Sequence, residues 1–167
     1  REKVGAVAGE VDTAIADARG QFSRLFCEQD FAPILPRLHF NQINLSTTSL
    51  QGTVRGMHYQ TPPAAEAKLI RCLRGSVFAV AVDLRQDPPT FLQWHGGELT
   101  ADNHLSVFIP EGFAHVFQSL TDDVQLLYMH TARWTPAQEA GLRHDDPRLG
   151  IAWPRAATVC SEKDRGY

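Results

Sequence analysis

The sequence predicts an all-β fold, a sandwich or a barrel, and three observations carry that prediction. Between residues 21 and 135, short strand-like runs follow one another at close spacing. Turn-forming residues separate them, at Pro62-Pro63, Arg74-Gly75, Asp87-Pro88-Pro89, Gly96-Gly97, Asp102-Asn103 and Asp122-Asp123. No long helical period interrupts the series.

Taken in order, a first helical piece falls around 26–35, ahead of Pro36. Strand runs follow at 40–46, 53–60, 67–73, 76–83, 91–99, 106–110, 114–119 and 124–131. A second helix is predicted after Trp134-Thr135-Pro136, because Thr135 is a suitable cap and Pro136 suits the first helical position. No repeat, low-complexity stretch or linker divides the chain, so one domain over 1–167 is expected.

Alternation within the runs says what the strands enclose. Side chains two apart share a face of a strand. Val124, Leu126, Tyr128 and His130 then lie together, as do Lys68, Ile70 and Cys72, and Phe40, Gln42, Asn44 and Ser46. Isolated polar groups sit among apolar ones. A dry core would not hold them, since each unpaired buried polar group costs about 1–3 kcal/mol; a barrel with a ligand lumen would. Strict alternation puts Arg55 and His58 on opposite faces, but Gly56 between them permits a bulge that re-aims one.

The bulk properties exclude several classes. With 167 residues, 43% of them hydrophobic, the chain is large enough for a real core. A net charge of −3 gives no broad field for nucleic acid or membrane. No apolar run approaches a membrane span, and Arg1-Glu2-Lys3 is not followed by a signal-like apolar stretch. Three widely spaced cysteines, odd in number, suit a cytoplasmic setting, and Cys72, mid-strand, suits a buried free thiol.

The chemistry concentrates in Arg55-Gly56-Met57-His58-Tyr59-Gln60 and in Lys68, ten residues after the histidine. A base and two fixed cations on apolar strands fit a cavity that binds an anion and moves a proton. His58 is the candidate base, against a strand histidine that bonds a carbonyl. Lys68 is a candidate for oxyanion stabilisation, against a snorkelling edge lysine. Arg55 and Arg19 could clamp phosphates, against surface salt bridges. The Tyr128 hydroxyl must find a partner or be used, and Trp134 either stacks on a planar base or anchors the core.

Pro110-Glu111-Gly112-Phe113-Ala114-His115 resembles the second motif of the cupin superfamily, which implies a cupin-type jelly-roll barrel with short flanking helices. Metal cupins pair it with His-x-His; here that place reads His58-Tyr59-Gln60, and an amide is a poor ligand, so no metal is expected. Together with Gly52–Gln60, Lys68–Cys72, Ala81–Arg85 and Asp146–Pro154, the motif resembles one cupin family, the dTDP-4-dehydrorhamnose 3,5-epimerases, from Arg19-Gly20 to Lys163-Asp164. The resemblance implies isomerase activity without a cofactor, on the sugar of a nucleotide-diphosphate 4-keto-6-deoxy sugar. It implies His58 as base oriented by Asp164, Tyr128 as proton donor on the opposite face, and Lys68 with His115 at the oxyanion. It places substrate contacts at Arg19, Gln42, Asn44, Arg55, Glu139 and Lys163. It also implies a homodimer in which Arg19 and Phe22 reach the partner's site, and Gln60 and Trp134 are further candidate contacts.

Two positions depart from the family pattern. Arg24 stands where a glutamate is usual, beside the expected nucleotide contacts. Ala79 stands where an acid is usual, one expected to pair with His115. These changes suit a side branch of the family, with inversion at one centre or at both left open. The competing functions are a 3,4-ketoisomerase on the same fold, a metal-dependent cupin, and a non-catalytic sugar-nucleotide binding module.

Overall fold

A computed structural model describes residues 7–10, 14–33, 35–87 and 89–167. The charged start Arg1-Glu2-Lys3, position 34 of the expected first helix, and Pro88 of the Asp87-Pro88-Pro89 break lie outside the described residues. Thirteen strands and two four-residue helices are seen among the described residues: β1 (Val7–Glu10), β2 (Ile15–Asp17), β3 (Gly20–Phe22), α1 (Glu28–Phe31), β4 (Gln42–Thr48), β5 (Thr53–Gln60), β6 (Lys68–Arg74), β7 (Ser76–Asp83), β8 (Trp94–Thr100), β9 (Leu105–Ile109), β10 (Phe113–Ser119), β11 (Val124–His130), β12 (Glu139–Gly141), β13 (Val159–Cys160) and α2 (Glu162–Arg165).

One sheet runs β1-β9-β6-β11-β4 and the second β12-β5-β10-β7-β8, with β13 added parallel to β5. β2 and β3 form a separate hairpin. The two large sheets face each other in the jelly-roll manner, and their inner faces share one core: Ile70, Cys72, Val107, Ile109, Val124 and Leu126 from the first meet Val77, Ala79, Ala81, Leu99, Phe113 and Phe117 from the second. Each fully buried aliphatic side chain here contributes about 1.5–3 kcal/mol. Both outer faces are covered as well. Phe26, Phe31, Leu35, Leu38 and Phe40 pack on the first sheet, and Leu142, Leu149, Ile151 and Trp153 on the second. Cys72 is the buried thiol expected, pushed up to about 11 by burial.

The helices differ from expectation. The first covers only Glu28–Phe31; Pro33 has no N–H to continue the ladder. After Pro136 there is one 3-10 turn, Pro136–Gln138, and then a strand. Thr135 makes no side-chain cap; its backbone N–H instead donates to Gln60 Oε1 at 2.7 Å. The free edge of β5 takes up β12, with Glu139 opposite Gln60 and Gly141 opposite His58. Pairing along a whole sheet edge outweighs the local helical start. None of the described helices is long and apolar enough to cross a membrane.

Candidate active site

At one end of the space between the sheets the core gives way to a polar cavity of about 260 Å³. The change happens along single strands. β11 carries Val124 and Leu126 in the core, then Tyr128 and His130 on the cavity; β6 carries Cys72 and Ile70 in the core, then Lys68. Asn44, Arg55, His58, Gln60, Glu66, Lys68, His115, Tyr128, His130, Trp134 and Glu139 all contribute to its wall.

β5 contains the bulge that Gly56 permits. The register against β10 pairs His115 with His58 and Val116 with Gly56, so Met57 is the extra residue. Gly56 has φ +114°, and a Cβ there would stand 2.6 Å from the His115 carbonyl oxygen. The result brings Arg55 and His58 to the same cavity despite their odd spacing. It also frees the Gly56 N–H to donate to Asp164 Oδ2 at 3.1 Å, while His58 Nε2 lies 2.6 Å from Asp164 Oδ1. Asp164 is buried and sits in α2, where its own N–H donates to the Ser161 cap. Burial alone would raise this carboxyl; Gly56, His58 and Ser161 outweigh it and hold it below the usual range. An ionised Asp164 therefore takes the Nε2–H of His58 and leaves Nδ1 as the free lone pair.

Tyr128 approaches from the opposite sheet. Burial raises its phenol, with Arg55 opposing in part, so the group is a neutral donor at physiological pH. Lys68 is buried beside it, its ammonium 3.2 Å from Glu66 Oε1. His115 packs edge-on to Tyr128, centroids 5.8 Å apart, and its buried Nε2 has no hydrogen-bond partner among the described residues. Burial, reinforced by Lys68, His58 and His130, drives His115 well below the usual histidine value, so it is a neutral imidazole. Ala79, on the same face two residues along from His115's partner Ala81, supplies no carboxylate.

The outer contacts are arranged in a chain. Trp134 Nε1 donates to Glu139 Oε2 at 3.4 Å, and Glu139 Oε1 lies 2.7 Å from Lys163 Nζ. Gln42 accepts the Trp134 backbone N–H at the rim. Lys163, Asp164, Arg55 and His58 also border an adjoining groove of about 450 Å³. Gln60 lines the cavity, yet its amide is spent on Ala64, Arg133 and Thr135 backbone groups, so it braces the loop beside Trp134. Arg19, Phe22 and Arg24 are not among the cavity residues of their own chain. Arg19 is held by Asp17 in the hairpin, Phe22 is exposed, and Arg24 bonds Asp30 at 3.0 Å. Alternation sets His130 on the face of Tyr128 without giving it a role, and Glu66, two before Lys68, is not among the sequence candidates; both line the cavity, as do Leu45, Ser46, Tyr59 and Phe117.

The dTDP-4-dehydrorhamnose 3,5-epimerase family matches residues 5–167. The chain is 43% identical over 149 residues to a dTDP-4-dehydrorhamnose 3,5-epimerase of Sinorhizobium fredii, covering 89% of this chain and 76% of that one. It superposes with TM-score 0.92 and 34% identity on a dTDP-6-deoxy-D-glucose-3,5-epimerase of Legionella pneumophila in complex with dTDP-4-keto-L-rhamnose, over 99% of this chain and 88% of that one. A 3'-monoepimerase from Streptomyces bikiniensis in complex with dTDP-quinovose gives TM-score 0.91 and 32% identity, over 97% and 82%.

Proposed function

The chain belongs to the dTDP-4-dehydrorhamnose 3,5-epimerase family, and from that premise we propose that it inverts C3, C5 or both in a nucleotide-diphosphate 4-keto-6-deoxy sugar, without a metal or organic cofactor. The observation that carries this reading is the facing of His58 and Tyr128 across one cavity from different sheets. A proton beside a ketone is weakly acidic in water. Removing it needs an aligned base and a stabilised enolate oxygen. His58 Nδ1 takes the proton from one side, and Asp164 balances the imidazolium through Nε2–H. The C–H electron pair becomes the enolate double bond, with charge on the former ketone oxygen. Lys68 and the neutral His115 are the donors available to that oxygen. Tyr128 then delivers its phenolic proton to the opposite side of the carbon, which inverts the centre; the phenol is reprotonated from solvent and His58 releases the proton it took to solvent.

Each acid–base partner supplies about 10²–10⁴-fold, and the oxyanion donors roughly 10²–10³-fold. The cavity suits the sugar ring, and the groove past Arg55 and Lys163 suits the diphosphate and nucleoside. Gln42, Asn44, Trp134 and Glu139 are the remaining contacts of the same chain. Arg19, Phe22 and Arg24 act in a homodimer, reaching the cavity of the second copy. That arrangement explains why a hairpin end as exposed as Phe22 carries an aromatic ring.

The test is a panel of 4-keto-6-deoxy sugar nucleotides incubated with the protein in D₂O and followed by NMR. Deuterium at C3 or C5 with an inverted centre is expected, and the number of labelled carbons distinguishes single from double epimerisation. A relocated carbonyl would instead assign a ketoisomerase, and no exchange with any member of the panel would remove the reading.

A further inference from the structure

Glu66 and His130 take no part in the reaction above, yet they form a second carboxylate–imidazole pair, on the wall across from Asp164 and His58. One Glu66 oxygen lies 3.2 Å from Lys68 Nζ and the other 3.0 Å from His130 Nδ1. Burial alone would raise this carboxyl; the His130 hydrogen bond and the Lys68 ammonium outweigh it and keep it below the ordinary range. An ionised carboxylate only accepts, so His130 Nδ1 carries the hydrogen that faces it. On the far side of the ring, His130 Nε2 lies 3.3 Å from Asn44 Nδ2. An amide nitrogen only donates, so Nε2 is the acceptor. The ring plane is fixed by stacking on Tyr128, with centroids 5.9 Å apart and 13° between planes. With Nδ2 turned to His130, the carboxamide of Asn44 has Oδ1 left for the cavity it lines.

We propose that Glu66 and His130 are positioning residues that turn Asn44 into a hydrogen-bond acceptor, so that the cavity selects a sugar with a hydroxyl donor on that wall. The proposal rests on the sugar-nucleotide reading given above. The opposite tautomer of His130 would draw Asn44 Oδ1 to itself and present the NH₂ group to the sugar. The carboxylate two residues ahead of Lys68 prevents this, and through the same side chain it tethers the lysine.

Nitrogen-15 NMR of histidine-labelled wild-type protein tests the first half. His130 protonated at Nδ1 alone is expected; an Nε2–H tautomer or an imidazolium at neutral pH would overturn the proposal. Steady-state kinetics test the second half. His130→Asn can keep the contact to Glu66 but cannot reach Asn44, whereas His130→Gln can. His130→Asn should raise KM about 10-fold, the equivalent of one hydrogen bond, with a smaller effect on kcat. His130→Gln should recover most of the loss, and adding Asn44→Ala to His130→Asn should raise KM no further. An unchanged KM in His130→Asn, or fully additive effects, would overturn it. The spectrum of the wild type can overturn the proposal even where a variant fails to fold. Absence of exchange in the wild-type enzyme would remove the epimerase reading instead, and the two failures are told apart.

Discussion

Asp164 accepts two hydrogen bonds on its two oxygens, one from the backbone of Gly56 and one from the ring of His58. An amide has only one acceptor, so Asp164→Asn must turn its NH₂ toward one of these donors. Where it faces His58, the imidazole is forced to the other tautomer, and the lone pair that the reaction needs is lost. Asp164→Asn should therefore lower kcat by about 10²–10⁴-fold with little change in KM, measured by steady-state kinetics. His115 makes a different prediction. Its folded value lies well below that of an ordinary histidine, so below about pH 6.5 the unfolded chain takes up a proton that the folded chain refuses. Stability attached to this residue is present above that pH and declines as pH falls toward the folded value, by about 1.4 kcal/mol per pH unit. Urea midpoints between pH 7 and 5 should show a shallower decline in His115→Gln than in the wild type.

At the scale of the element, the bulge in β5 is what brings His58, the proposed base, against Asp164 and into the cavity. Gly56→Ala would force a side chain into a left-handed backbone and against the His115 carbonyl. A loss of about 1–3 kcal/mol is expected by denaturant titration, with a fall in exchange activity that exceeds it because His58 and the Asp164 contact shift together. This element was largely readable in advance. The alternation rule flagged Arg55 and His58 as mismatched, and a glycine between them named the remedy. The strands from β4 to β11 were readable for the same reason, period-two patterning cut by turn residues, except that Gly96-Gly97, expected as a break, lies inside β8 and pairs with β7. The piece after Pro136 was not, because a proline at a helix start looks the same whether the chain continues as a helix or meets an open sheet edge, and only tertiary pairing with β5 decides. The short helix α2 was missed although Ser161 and Asp164 carry a cap spacing. Four residues offer no apolar period to read. Period two puts His130 on the face of Tyr128, but neither it nor Glu66 shows a role in the sequence, because a polar residue beside an expected ligand reads as ordinary strand decoration until the second sheet closes over it.

The whole molecule divides its interior between a dry core and a polar cavity, and both outer faces of the sandwich are covered by the flanking segments. The edge strand β4 is the exception, with Ile43 and Leu45 largely exposed, as is Phe22 on the hairpin. A second copy of the chain is the occupant the proposed function requires. Sedimentation should give twice the chain mass, and mixing a Phe22→Ala chain with a His58→Ala chain should restore some activity, since one composite site then has both wild-type residues. The claim on which the account turns is that proton removal and proton return come from different walls of one cavity. Its most direct measurement is the fate of solvent deuterium in Tyr128→Phe. His58 is expected still to exchange the proton, so label enters the substrate with its configuration retained while inversion stops. Inversion at the wild-type rate in Tyr128→Phe, or exchange persisting in His58→Ala, would contradict it.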